Sequence, residues 1–293
     1  MDPTFSAVLR SWDWRLDVIF VLLFMGAMYT RGWFVLRKKG AQIANRWRLV
    51  SYLAGLAFLA IALMSAIDVF QDLLFFVHMI QHLFLVMIAP PLLLLANPMP
   101  VFMWALPRGL RLWVGQFFKR GAYPRSVLKD ISSPMVIWLA YTVTLWLWHD
   151  PSAYVAAIEN DFLHDIEHLS FFITGMLLWW YITNAAPKLH GKRPPMLRIG
   201  LASITYFQNL FLGMGLALWG SLIYDHYANV PRVWGIDPVR DQSIGGLIMW
   251  IPGGMMYGIA ILVLINDVIS EAERKARVED RKRELRRLSS SEA

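Results

Sequence analysis

Long apolar runs separated by short polar clusters recur along this chain, without the strict alternation of half-buried strands. A helix needs about 20 mostly apolar residues to cross a bilayer. Seven runs read as such spans: Leu16–Leu36, Trp47–Ile67, Asp72–Ala96, Pro134–Trp148, Phe162–Ala186, Leu197–Ile223 and Ile244–Asp267. Lipid offers the backbone no hydrogen-bond partners, so only helices or closed barrels satisfy it there. The missing alternation argues against a barrel. The expected fold is therefore an all-α integral membrane protein, a seven-transmembrane helix bundle over residues 1–267 with a charged tail at 268–293. Pro90 and Pro91 interrupt the third run and "WIPGG" (Trp250 to Gly254) the seventh, which predicts irregular helices there. "LGMGLALWG" (Leu212 to Gly220) offers a small-residue face for close helix contact. "PVFMWALPRGLRLWVGQFFKR", at about 100–120, mixes aromatic and basic residues and is expected to lie in the membrane interface.

Charge adds a direction. Lys and Arg crowd the Arg37–Arg48 loop, the third connection (Arg108 to Lys129), the fifth (Lys188 to Arg198) and the tail, whereas Asp68–Asp72 and His149–His168 contain none. The positive-inside rule then places the N-terminus outside and the C-terminus in the cytoplasm. The basic tail suits anionic lipid or plain solvation equally. Only 17% of residues are charged, against about 25% in soluble domains. The +7 net charge thus reads as a topology signal and not as a nucleic-acid footprint. There is no Cys, which removes disulfides, thiolate metal sites and Cys nucleophiles.

With the topology drawn, histidine becomes informative. His78, His82, His149, His164, His168 and His226 fall at the outer face, and only His190 inside. "HMIQHL" (His78 to Leu83) and "HDIEHL" (His164 to Leu169) share the pattern H-x-I-[E/Q]-H-L, each heading an apolar run. Helical residues four apart share a face, with Cβ atoms about 5–6 Å apart, so each pair can offer two imidazoles to one ion. Both spans run inward, so the two pairs can meet at similar depth. Burying four imidazoles is costly unless they are paired or ligated. Glu167 lies on the same side of its helix as its two His, with Gln81 at the equivalent place in the other motif. "WHDPSAY" (Trp148 to Tyr154) brings His149 and Asp150 to the same face as a possible extra ligand and neighbour, although Asp-Pro also simply stops helices. Asp241 stands near the head of the seventh span, where a carboxylate equally suits a helix N-terminus. Such donors suit zinc, copper or iron, and Met64, Met79 and Met249 in the outer half lean toward Cu(I).

Four stretches, "HMIQHLFLVMIAPPLLLLANP", "WHDPSAY", "HDIEHLSFFITGMLLWW" and "DQSIGGLIMWIPGG", resemble in order the CtaG family of multi-span cytochrome c oxidase assembly factors. The first departs from the family pattern, ending in Ala-Asn-Pro where Gly-x-Pro is expected, at the inner end remote from the His cluster. The resemblance implies a non-enzymatic, multi-pass protein of a prokaryotic plasma membrane that helps mature a haem–copper oxidase, with copper supplied from the outer side. It implies the oxidase subunits and a periplasmic or extracytoplasmic copper chaperone as partners. The family's His pairs carry over onto His78, His82, His164 and His168.

Three other readings compete. "HDIEH" fits the zinc-hydrolase signature H-x-x-E-H, with Glu167 as general base. A b-type cytochrome would use one His from each pair and leave two idle. A scaffold would recruit oxidase subunits with its His merely hydrogen-bonded.

Overall fold

The structure, a computed structural model, describes residues 10–119, 121–190 and 193–291. Arg120 and Lys192, and the last two tail residues, lie outside them. Among the described residues every regular element is helical. Helices α1 (Leu16–Lys38), α2 (Arg46–Met64) and the short α3 (Ala66–Phe70) lead into α4, which runs over Phe75–Leu95 with a π-helical stretch at Phe84–Ile88. Three short helices follow, α5 (Pro98–Ala105), α6 (Arg108–Phe117) and α7 (Tyr123–Ile131). Next come α8 (Pro134–Trp148), α9 (Pro151–Ile158), α10 (Asp161–Thr183), α11 (Pro195–Leu218) and α12 (His226–Asn229). Finally α13 (Pro238–Ile248) passes through a second π-stretch, Met249–Gly253, into α14 (Gly254–Ser291).

Among the described residues, five helices are long and apolar enough to cross a membrane, or up to six if α7 and α8, bent by 55°, form one broken span. That is fewer than the seven expected, for two physical reasons. Helix α8 has only 15 residues. Helix α10 has 23, but its first turns carry Asp161, His164, Asp165, Glu167 and His168, which dilute its hydropathy. The chain is thus a helical protein of membrane character. Helix α1 turns Leu16, Phe20, Leu23 and Phe24 outward, each more than half exposed. In water this would be an anomalous apolar patch; against lipid it is the expected surface.

Two features position the core. Helices α4 and α10 run parallel. His78 faces His168 near their starts, with ring centroids 5.9 Å apart. Val86 meets Gly175 midway, where an added Cβ would lie 3.3 Å from Val86 Cα. Asn97 Oδ1 accepts the Ala186 N–H (3.0 Å) just beyond their ends. Pro90 lacks the N–H that would bond Val86 four residues earlier, and the freed Val86 carbonyl accepts the Trp179 Nε1–H (2.8 Å). The proline break is repaired by the neighbouring helix.

Helices α11 and α13 meet through glycine. A Cβ on Gly213 would lie 2.8 Å from Trp250 N, while one on Gly215 meets nothing within 4 Å. Overpacking at such a contact costs about 1–3 kcal/mol. Gly213→Val is therefore expected to lower the thermal midpoint in detergent by several degrees, with Gly215→Ala as a control at or above wild type. Equal midpoints for the two variants would contradict this packing.

At the opposite end α6 buries none of its residues, exposing Leu110, Leu112 and Trp113 beside its arginines. The Arg111 guanidinium stacks 4.1 Å above the Trp104 ring. Over residues 272–283 α14 is exposed, and it carries the i,i+4 pairs Lys275–Glu271 (3.1 Å) and Arg277–Glu273 (3.4 Å). Such pairs contribute only about 0.3–0.5 kcal/mol each.

Candidate metal centre

The site starts with the placement of α4. Asp241 of α13 accepts the N–H groups of Phe75 (2.8 Å) and Phe76 (3.0 Å), so it caps a helix other than its own. Both its oxygens are committed there, favourably placed at a positive helix end. Asp237 caps Asp241's own helix through the Val239 N–H (3.0 Å). With α4 begun at Phe75, His78 and His82 fall on the face toward α10. Asn160 starts α10 by accepting the Phe162 and Leu163 N–H groups (3.1 Å each), which sets His164 and His168 on the facing side.

The four imidazoles converge. Ring centroids lie 4.3 Å apart for His78–His82, 4.0 Å for His164–His168, 5.3 Å for His78–His164 and 5.4 Å for His82–His168. His78 is wholly buried, His82 and His168 nearly so, and His164 is half-buried.

A hydrogen-bond chain fixes the state of His78. The Tyr227 hydroxyl donates to the Gln71 carbonyl (2.9 Å), which can only accept. Tyr227 therefore accepts from the Tyr154 hydroxyl (2.8 Å), and Tyr154 in turn accepts from His78 Nδ1 (2.9 Å). Burial pushes both phenols above their usual range, which keeps them protonated along this chain. The proton of His78 thus sits on Nδ1, and Nε2 presents a lone pair to the cluster. This is the outer arrangement that orients metal-ligating histidines.

Glu167 lies among the rings. It is fully buried, with Oε1 3.4 Å from His82 Nε2 and Oε2 4.0 Å from His78 Nε2. Neither oxygen has a hydrogen-bond partner, nor do His164 Nε2 and His168 Nε2. Each buried polar atom left unpaired costs about 1–3 kcal/mol, so their concentration at one point makes this the candidate site for a ligand. The dimensions fit an ion. Ligand atoms about 2.0–2.1 Å from a tetrahedral metal are about 3.3 Å from one another. His78 Nε2 and His82 Nε2 are 2.9 Å apart, and the His82–Glu167 separation is 3.4 Å. Two triads, His78–His82–His168 and His78–His164–Glu167, have ligand atoms within 4.8 Å of one another. Neutral imidazoles with one carboxylate are a zinc, copper or iron donor set.

The remaining residues read from the sequence stand apart. Gln81, Glu167's counterpart in the motif, points away, its Nε2 donating to the Ala62 carbonyl (2.9 Å) and Asp68 Oδ1 (2.7 Å). Asp150 is exposed and caps α9 through the Ser152 N–H (3.0 Å). His226 opens the short helix α12, its Nε2 held by the Asp72 carbonyl (2.9 Å). His149 is buried beside the cluster, 6.2 Å from His82 between ring centroids, but belongs to neither triad. Tyr154 and Tyr227 carry no motif that reveals their part. Only the placement of Tyr154 in "WHDPSAY", five residues from His149, pointed near them.

Comparison with known proteins supplies the remaining finding. Residues 27–271 match the family described as cytochrome c oxidase caa3 assembly factor (Caa3_CtaG). An uncharacterised protein of Mycobacterium bovis is 26% identical over 294 residues, covering 95% of this chain and 42% of that protein. One of Mycobacterium leprae is 26% identical over 283 residues, covering 92% and 41%. The chain spans about two fifths of the length of these curated relatives. No solved structure matches it. The family match lends no support to the hydrolase reading of "HDIEH".

Proposed function

The chain belongs to the cytochrome c oxidase caa3 assembly factor family, and from that membership we propose that it holds copper at the His78–His82–His164–His168–Glu167 cluster and delivers it to an oxidase subunit. In this reading α8 and α10 also cross the bilayer, making seven passes of a prokaryotic plasma membrane with the N-terminus outside and the C-terminus cytoplasmic. The Lys and Arg distribution supports that orientation, and it puts the cluster at the outer face. Copper is cargo here, accepted from an extracytoplasmic chaperone and released to the oxidase.

One observation carries the proposal: unpartnered buried atoms of His164, Glu167 and His168 are gathered around His78, whose lone pair is turned inward by Tyr154. A groove of about 390 Å³ reaches His168 and offers a route in, with the paired Arg15 and Asp165 among its lining residues. Purified full-length protein dialysed against Cu(I) should retain at least one equivalent; protein that retains none would contradict the proposal.

Tyr154 is a positioning residue in this scheme. Tyr154→Phe is expected to weaken copper binding about 10–100-fold, the usual cost of losing such an outer partner, without changing the number of ions bound. Competition against a Cu(I) indicator measures it. Unchanged affinity would show that His78 needs no such orientation.

A further inference from the structure

Just below the cluster lies a cavity of about 30 Å³ whose lining includes Met79, Met87, Met249, His82, His149 and Asn209. Three of these are thioethers, all buried, converging from two separate helices. His149 is only 7% exposed. Its Nδ1 donates to the Leu145 carbonyl (2.7 Å), and its Nε2, on a ring that lines the cavity, is buried without a partner. His82 belongs to both places. Its Nε2 lies 2.9 Å from His78 Nε2 in the cluster, while its ring lines the cavity and its Nδ1 is unpartnered.

The backbone is irregular at this same point. Met87 lies in the π-stretch Phe84–Ile88, and Met249 opens the π-stretch Met249–Gly253. Such stretches cost helical regularity and are frequent at functional sites. The second is held by Asn209, whose Nδ2 donates to the Met249 carbonyl (3.1 Å). Two separate helices thus distort beside the small space that Met79, Met87 and Met249 line.

We propose that this cavity is a second copper position, specific for the monovalent ion, bound by Met79, Met249 and His149 and reached from the cluster through His82. Soft thioethers with neutral imidazole select Cu(I) over harder divalent ions, and the upper cluster, with its carboxylate, offers the harder donors. The proposal rests on the copper reading of that cluster. No electron transfer is required: copper enters and leaves as Cu(I), exchanging the imidazole and carboxylate donors of the cluster for thioether and imidazole donors.

X-ray absorption of purified full-length protein loaded with Cu(I) tests it. The chain has no Cys, so a sulfur neighbour of copper can come only from methionine. Wild type is expected to bind two equivalents of Cu(I), the second showing sulfur at about 2.3 Å. Met79→Leu with Met249→Leu, which keeps the core apolar, is expected to lose that sulfur signal and one equivalent while keeping the first. Met249→Leu alone, with less disturbance, is expected to lower the number of sulfur neighbours of that ion by one. A wild-type spectrum with only nitrogen and oxygen neighbours, as when the cavity holds water, would overturn the proposal, and so would unchanged uptake by the double variant. Loss of all Cu(I) binding by wild type would instead defeat the cluster reading.

Discussion

Replacing His78 and His168 together by Ala is expected to abolish copper binding at the cluster and to leave the host oxidase short of copper. His78 belongs to both candidate triads, and His168 completes one of them. Losing an outer partner of a ligand already costs 10–100-fold in affinity, so losing two ligands should exceed 100-fold. Because both side chains are buried and His78 pairs with Tyr154, the thermal midpoint of the variant in detergent is measured alongside to show that it is folded. Copper per oxidase, measured by mass spectrometry on enzyme purified from cells carrying only the variant, reads the effect. Normal copper content would leave the family membership standing and remove the metal role from these residues.

Glu167→Gln should separate stability from binding. Its carboxylate is wholly buried and neither oxygen has a hydrogen-bond partner. The NH2 group of a glutamine can donate to the unpaired ring nitrogen of His164, which shares a candidate ligand triad with residue 167. The metal-free variant is therefore expected to be more stable than metal-free wild type by about 1–3 kcal/mol, seen as a melting point several degrees higher. Copper affinity should fall at least tenfold, since the cluster loses its negative charge. A variant that is less stable without metal and binds copper as tightly would show that Glu167 serves packing alone.

The sequence made much of this site legible because the helical period is local. His78 with His82, and His164 with His168, are four residues apart, which sets each pair on one face whatever the rest of the chain does. That the pairs face each other across 86 residues followed from reading α4 and α10 as parallel, and the structure has them parallel. Other features depend on contacts that no spacing records. Asp241 caps α4 across a sequence gap of more than 160 residues. The Tyr227 end of the proton chain comes from the short helix α12, which reaches Tyr154 and the Gln71 carbonyl. Gln81 and Glu167 look equivalent in the motif yet point to different places, because α2 stands beside Gln81 and supplies the Ala62 carbonyl. The span count fell short for a related reason: the polar first turns of α10 that build the site also lower its hydropathy. Hydropathy and chemistry compete for the same residues there.

Crystals of the copper-loaded protein, measured at the copper absorption edge, test the central claim most directly. An anomalous peak is expected between α4 and α10, within about 2.0–2.2 Å of imidazole nitrogens from both His pairs. Copper found only on the tail or another surface, with no peak between those helices, would contradict it.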